Sequence, residues 1–196
     1  MTVTIQTLTG PDIGPHIDDL AHLRIEVFRS FPYLYDGDMA YERKYIDTYS
    51  RSPRSQFVLA RDGDRVVGAA TGIPMADETE AFKQPFINHS YDPQAIFYFG
   101  ESVLLPEYRG QGIGVAFFEH REGYARELGG FSHCCFCAVE RPSDHPLRPA
   151  SYQPLDEFWK KRGYQKVPAL NTEYRWKDVG EDVETAKPMT FWMKAL

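Results

Sequence analysis

Tyr98-Phe99-Gly100-Glu101-Ser102-Val103-Leu104-Leu105-Pro106-Glu107-Tyr108-Arg109-Gly110-Gln111-Gly112-Ile113-Gly114 is the most informative run in this chain. It begins as an apolar strand, turns at Pro106, and passes through three alternating glycines into a helix whose apolar stripe is Ile113, Phe117, Tyr124 and Leu128. Glycines at such spacing weaken a helix by up to about 1 kcal/mol each relative to alanine, so they call for a reason. Backbone N–H groups without neighbouring side chains can touch a ligand, and the positive end of the helix dipole favours an anion, so a phosphate or pyrophosphate fits. A Walker loop would need Gly-Lys-Ser/Thr, which is absent, and a GxGxxG dinucleotide loop would need glycine at 115, where Val115 stands.

Working outward, Thr2 to Leu8 alternates as a strand does and is broken by Gly10, Pro11, Gly14 and Pro15. Apolar residues at helical spacing predict a helix from His16 to Phe31, opened by Asp18 and Asp19 and interrupted by Arg24, which is expected to snorkel from its edge, although a helix facing a substrate pocket could use it. Phe31 to Asp38 is an aromatic loop, Asp38 caps a second helix from Met39 to about Tyr49, and Gln56–Arg61 and Arg65–Ile73 form a hairpin around Asp62-Gly63-Asp64. The connection Asp77 to Asn88 holds one short helix. Ile96 to Leu105 is the fourth strand, Phe131 to Val139 the fifth, Leu155 to Arg162 a short helix stopped by Gly163, and Thr172–Lys177 and Met189–Ala195 are late strands. No repeat or linker divides the chain, so residues 1–196 read as one α+β unit with a mixed sheet of about seven strands flanked by helices.

Composition narrows the partners. With 22 Lys plus Arg against 28 Asp plus Glu the formal charge is −6, and 14% aromatic residues exclude a disordered chain. The acidic balance and the lack of a Lys/Arg run argue against nucleic acid, and no apolar stretch is long enough for a membrane span. A polar start, Met1 to Gly10, leaves the cytoplasm as the default location. Cys134, Cys135 and Cys137 lie inside an apolar strand without metal-ligand spacing, so they read as small buried hydrophobes, and no metal is expected.

Arg109-x-x-Gly112-x-Gly114 after Val103, Leu104, Leu105 and Pro106 strongly resembles the acyl-CoA motif of the GNAT-type N-acetyltransferase superfamily, and the order of elements from Thr2 through Leu196 is similar to that superfamily's. The resemblance implies acetyl-CoA as cosubstrate, with no metal, and a mostly antiparallel sheet whose fourth and fifth strands splay into a cleft. It implies that the backbone of Val103, Leu104 and Leu105 holds the pantetheine arm. The N–H groups of Arg109, Gly110, Gln111, Gly112, Ile113 and Gly114 would cradle the pyrophosphate. Dimers are frequent in the superfamily, and the Met189 to Leu196 run, with Phe191 and Trp192, would either make such a contact or simply pack.

The implied reaction is direct attack of a primary amine on acetyl-CoA in a ternary complex. An amine of ordinary pKa must first lose a proton, at a cost of about 4.6 kcal/mol at pH 7. Glu101, a carboxylate in an otherwise apolar strand, is the first candidate base. Other members place the base at the position of Tyr98, and alternation sets Tyr98 and Glu101 on opposite faces unless a bulge intervenes. The Leu104 N–H would meet the oxyanion. Where many members have an acidic Tyr, this chain has Trp159, which leaves Tyr152, Cys137 or solvent to protonate the thiolate, while Trp159 would stack along the cofactor arm or pack in the core. Tyr33, Tyr35, Asp36, His145 and Arg148 are polar handles near the acceptor: Asp36 suits an ammonium and Arg148 a carboxylate, so a small amine or amino-acid-like acceptor is favoured over a protein. A catalytically impaired acyl-CoA sensor and transfer of a longer acyl group are the alternatives.

Overall fold

The computed structural model of the chain describes residues 3–196. Its strands are β1 (Thr4–Thr9), β2 (Gln56–Asp62), β3 (Arg65–Pro74), β4 (Ile96–Tyr98), β5 (Ser102–Leu104), β6 (His133–Val139), β7 (Gln165–Lys177) and β8 (Glu184–Ala195). Its helices are α1 (Ile17–Phe28), α2 (Met39–Arg51), α3 (Glu80–Asn88), α4 (Ile113–Leu128) and α5 (Asp156–Lys160). The strands make one open sheet in the order β1-β2-β3-β4-β6-β8-β7, with β5 paired to β3. Only β4 and β6 run parallel. Thr2, expected at the start of β1, lies outside the described residues.

Local chemistry explains most boundaries. Gly63 turns the β2–β3 hairpin at φ 59°, and the Asp38 side chain accepts the Tyr41 N–H to cap α2. Gly163 at φ 87° follows α5. Tyrosines, phenylalanines and small residues fill both sheet faces, and all three cysteines are buried free thiols. Phe191 and Trp192, candidates for a dimer contact, are buried on β8 between β6 and β7, so that run packs inside the molecule. The late strands are longer than expected because β7 and β8 pair along most of their length, with a bulge between Val167 and Asn171.

Two expectations needed correcting. The buried positions of α4 include Arg121 and Glu122, while Leu128 is 37% exposed. Charged residues enter that face because each is satisfied there: Arg121 donates to the carbonyls of Phe117, Thr71 and Glu101 and to Ser102 Oγ, and Glu122 accepts from Tyr164 and Lys194.

The second correction concerns the strand expected over Ile96 to Leu105, which is two short strands. Tyr98 pairs with Ile73 and Ser102 with Ala70, so Phe99, Gly100 and Glu101 oppose only Thr71 and Gly72, the one-extra-residue signature of a β-bulge. Thr71 accepts from the Gly100 N–H and donates to the Glu101 carbonyl. The bulge puts Tyr98 and Glu101 on the same side of the sheet, toward α1 and α2. It also splits the sheet. The Phe99 N–H makes the last bond to β6, at the Cys135 carbonyl (2.8 Å), after which β5 pairs only with β3 and the far half of β6 only with β8.

That split leaves main-chain groups facing a gap. Glu101 and Leu105 bond toward β3, so the intervening Ser102 and Leu104 turn their N–H and C=O groups into the opening. Gly100 is required because an added Cβ would lie 2.1 Å from Tyr49 Oη and 2.7 Å from Thr71 Oγ1. Gly100→Ala is expected to destabilise the fold by about 1–3 kcal/mol in urea titrations, the range of an overpacked core site.

Candidate functional site

The turn between β5 and α4 has the geometry its glycines suggest. Gly110 and Gly112 have φ of 77° and 83°, and Gly112 forms the N-cap of α4 in the left-handed region. Among the described residues, the N–H groups of Gly110, Gln111, Gly112, Ile113 and Gly114 have no main-chain acceptor. Five free donors at a helix start make a ready anion cradle, and its chemistry fits a pyrophosphate. The Arg109 guanidinium folds back over the Leu104 carbonyl at 3.4 Å. From α5, Phe158 is the ring that reaches this turn, 3.4 Å from where a Gly114 Cβ would sit. Its neighbour Trp159 packs edge-on against Phe136 and Trp192, each at 5.0 Å between centroids.

On the opposite side of the split lies a cavity of about 440 Å³ between α1, α2 and the end of β7. Tyr33, Tyr35, Asp36, Tyr98, Gly100 and Cys137 line it, so the structure brings most of the expected acceptor residues to one place, at the mouth of the β5–β6 gap. Tyr98 Oη and Cys137 Sγ lie 3.2 Å apart. Burial pushes the Cys137 thiol up to about 12, with the Tyr98 hydrogen bond opposing the rise, and burial likewise holds Tyr98 well above the phenol range.

Several predicted handles are engaged or displaced. Asp36 accepts Lys177 Nζ at 2.8 Å and Arg29 at 3.3 Å, and the Lys177 bond is the main reason its carboxyl lies below the usual range. Tyr35 Oη donates to Glu42 at 2.7 Å. Arg148 stands over the Tyr152 ring at 4.8 Å and the Phe31 ring at 5.8 Å, outside the cavity lining, with His145 also against Phe31. Burial raises Tyr152 above the ordinary phenol value.

Arg24 does not snorkel. It is buried between two carboxylates, its Nε on Glu42 Oε2 and its Nη1 on Glu101 Oε2 at 2.7 Å, with its guanidinium 4.3 Å from the Tyr45 ring centroid. Glu101 therefore pairs with a buried arginine. Burial raises the Glu101 carboxyl above its ordinary value, Arg24 opposes this, and Glu42 adds to it. Burial works to lower Arg24, but Glu101 and Glu42 keep it well above the usual guanidinium value. One positive and two negative groups leave the cluster with an excess carboxylate, and Glu101 Oε1 is buried without a hydrogen-bond partner. The signal for this cluster was present in sequence. Glu42 shares the α2 stripe of Tyr45, Ile46 and Tyr49, and Arg24 that of Leu20, Ala21, Val27 and Phe28, so each is a charge at a core position.

Comparison with known proteins agrees with this geometry. The family model described as "Acetyltransferase (GNAT) family" matches residues 19–150. No curated protein matches the chain. Among solved structures, an N-acetyltransferase from Staphylococcus aureus Mu50 superposes with TM-score 0.63 at 10% identity, covering 100% of this chain and 99% of that one. A ribosomal-protein-alanine N-acetyltransferase from Brucella melitensis gives 0.61 at 14% identity, covering 98% and 99%. Arabidopsis thaliana NAA60 in complex with acetyl-CoA gives 0.61 at 12% identity, covering 100% and 99%. At these identities the structural likeness speaks for the fold.

Removing the guanidinium tests the cluster. Arg24→Leu leaves two buried carboxylates facing each other and is expected to cost about 3–5 kcal/mol. Without the cation the buried Glu101 carboxyl, already raised, loses the partner that opposes the rise, so its folded pKa lies further above its unfolded one and its contribution to stability falls as pH rises. Urea unfolding of the variant should therefore show a larger loss at pH 8 than at pH 5. An equal loss at both would mean that charge is not what the arginine neutralises.

Proposed function

Since the chain belongs to the GNAT acetyltransferase family, we propose that residues 1–196 form one acyltransferase unit that acetylates a primary amine of a small molecule by direct attack. The observation that carries this is the coincidence, at one split in the sheet, of an anion cradle on one side and an acid-lined cavity on the other. Acetyl-CoA supplies the thioester carbonyl. Gly110, Gln111, Gly112, Ile113 and Gly114 offer N–H groups to its pyrophosphate, with Arg109 beside them. Val103, Leu104 and Leu105 lend an open strand edge to its arm, and Trp159 backs Phe136 on the far wall of the gap.

Glu101 takes the proton from the incoming ammonium. Its raised pKa suits a base that works near neutral pH, and the bulge gives it the face that alternation alone would deny it. Tyr98 shares that face, and as a phenol held well above its ordinary value it shapes the wall beside Cys137 rather than removing the proton. The Leu104 N–H, turned into the gap, stabilises the oxyanion. Cys137, pushed up to about 12, lies far above an ordinary thiol, so handing its proton to a thiolate runs uphill. Tyr152 is raised as well, which leaves water to protonate the sulfur.

No helix among the described residues is long and apolar enough to cross a membrane, and we take the cytoplasm as the place of action. Acetyl-CoA at about 100 times its Kd should stabilise the fold by about 2.7 kcal/mol in thermal scans. Gly112→Val should lose that stabilisation, because a branched side chain at φ 83° both strains the turn and blocks the cradle. No stabilisation of the native chain would remove acetyl-CoA from the proposal. Glu101→Gln should flatten the rise of kcat/KM with pH, since the base acts only when ionised and glutamine cannot ionise. An unchanged profile would assign the proton to another group.

A further inference from the structure

The acceptor cavity separates its charges into two groups, and the acceptor they select rests on the acetyl-transfer reading of that site. At the inner end Arg24 and Glu42 line the cavity, and Arg24 also grips Glu101, which lies outside the lining itself and keeps a buried, unpartnered oxygen beside the lining residues Arg24 and Gly100 to which it is bonded. At the outer end the lining holds four carboxylates, Asp36, Asp38, Asp182 and Glu184, against Lys177 and Arg175. Lys177 is committed to Asp36, and Arg175 donates to the Glu184 carbonyl. Negative charge is therefore in excess at both ends. Between them the walls are aromatic: Phe28, Tyr33, Tyr174 and Trp176 offer faces to an apolar chain and to a cation.

The same walls disfavour the other acceptor chemistries. A carboxylate finds little to hold it, because Arg24 is locked between two acids, Lys177 is paired, Arg148 lies outside the lining, and Arg175, bonded to the Glu184 carbonyl, stands among four carboxylates that repel an anion. A peptide would need an open groove for the residues after its amino terminus. Here Tyr41 Oη and Tyr174 Oη meet at 2.6 Å, and Tyr35 bridges to Asp178, so α2 and the aromatic loop are tied to β7 beside the cavity.

We propose that the acceptor is an aliphatic diamine or longer polyamine, with one amine reacting beside Glu101 and a second ammonium held at the mouth by Asp38, Asp182 and Glu184. The C–N amide bond forms as the C–S thioester bond breaks. The reacting ammonium gives up two protons in all, the first through Glu101; one ends on the thiolate sulfur and the other is released to water. The distal ammonium stays charged throughout, so it binds without entering the chemistry.

The test compares thiol release from acetyl-CoA with 1,4-diaminobutane, n-butylamine, lysine and a hexapeptide with a free amino terminus. The expected result is a kcat/KM for the diamine at least tenfold above that for n-butylamine, with lysine and the peptide lower still. Replacing two exposed mouth residues, Asp182→Asn with Glu184→Gln, should narrow the diamine to monoamine ratio at least threefold, mainly through KM for the diamine. Equal rates for diamine and monoamine, a preference for lysine or the peptide, or a ratio untouched by the double variant would each overturn the inference while leaving amine acetylation standing. Thiol release from no amine, with acetyl-CoA still stabilising the fold, would instead sink the acetyl-transfer reading and this inference together.

Discussion

Three residues, Phe99 to Glu101, face two on β3, and two buried arginines hold that mismatch in place from opposite sides of the sheet. From α4, Arg121 donates to the carbonyls of Thr71 and Glu101 and lies 4.1 Å from the Phe99 ring centroid. From α1, Arg24 grips the Glu101 carboxylate. An unpaired backbone carbonyl in a buried sheet is costly, so a bulge there persists only where other donors satisfy the groups it displaces. At this bulge the Thr71 and Glu101 carbonyls each accept a main-chain N–H, and Arg121 adds a second, charged donor to both; burial draws its own pKa down to about 10, still far enough above neutral for it to remain charged. Every part of the proposed site depends on this local defect: the gap between β5 and β6, the Leu104 N–H turned into it, the shared face of Tyr98 and Glu101, and the cavity mouth.

Charge is divided along the same line. In a chain of formal charge −6, the main-chain N–H groups left open at the start of α4 can receive an anion without any net charge of their own, and so do not disturb the acidic balance elsewhere. Acidic side chains are then free to gather on the α1–α2 side. There the Arg24, Glu42 and Glu101 cluster is kept dry by Tyr45, Phe28 and Tyr35, which strengthens the attraction to the arginine and at the same time raises the Glu101 carboxyl. A buried ion pair of this kind is weak evidence of stability by itself, because desolvation offsets much of its attraction. Its retention beside a cavity suits a site that needs a carboxylate of tuned basicity.

Much of this was legible residue by residue. The alternation of β1, the turn around Gly63, the Asp38 cap, the glycines before α4 and the stop at Gly163 are local signals, and each boundary they mark agrees to within a few residues. The cradle was legible for the same reason, since Gly110, Gly112 and Gly114 act through their own backbone. The bulge was not. Gly100 looks like an ordinary strand residue until Tyr49 and Thr71 arrive from distant segments to occupy the space a Cβ would take. The partners of Arg148 and Asp36 were hidden in a similar way. Sequence shows that a charge exists, but whether Lys177 already neutralises it, or an aromatic pair holds it away from the cavity, depends on a strand from the far end of the chain or on a loop's path.

By itself the sequence determined the family-level fold and the glycine turn before α4, because periodicity, turn chemistry and glycine backbone freedom are properties of neighbours along the chain. Only the tertiary structure decided that three charges belong together at core positions as Arg24 with Glu42 and Glu101, that the fourth strand breaks at Gly100, and that the cavity walls carry excess acid at both ends. Those outcomes depend on electrostatics and packing between α1, α2, β3 and β7, and interactions that act through space across a folded core leave no spacing in the sequence to reveal their partners.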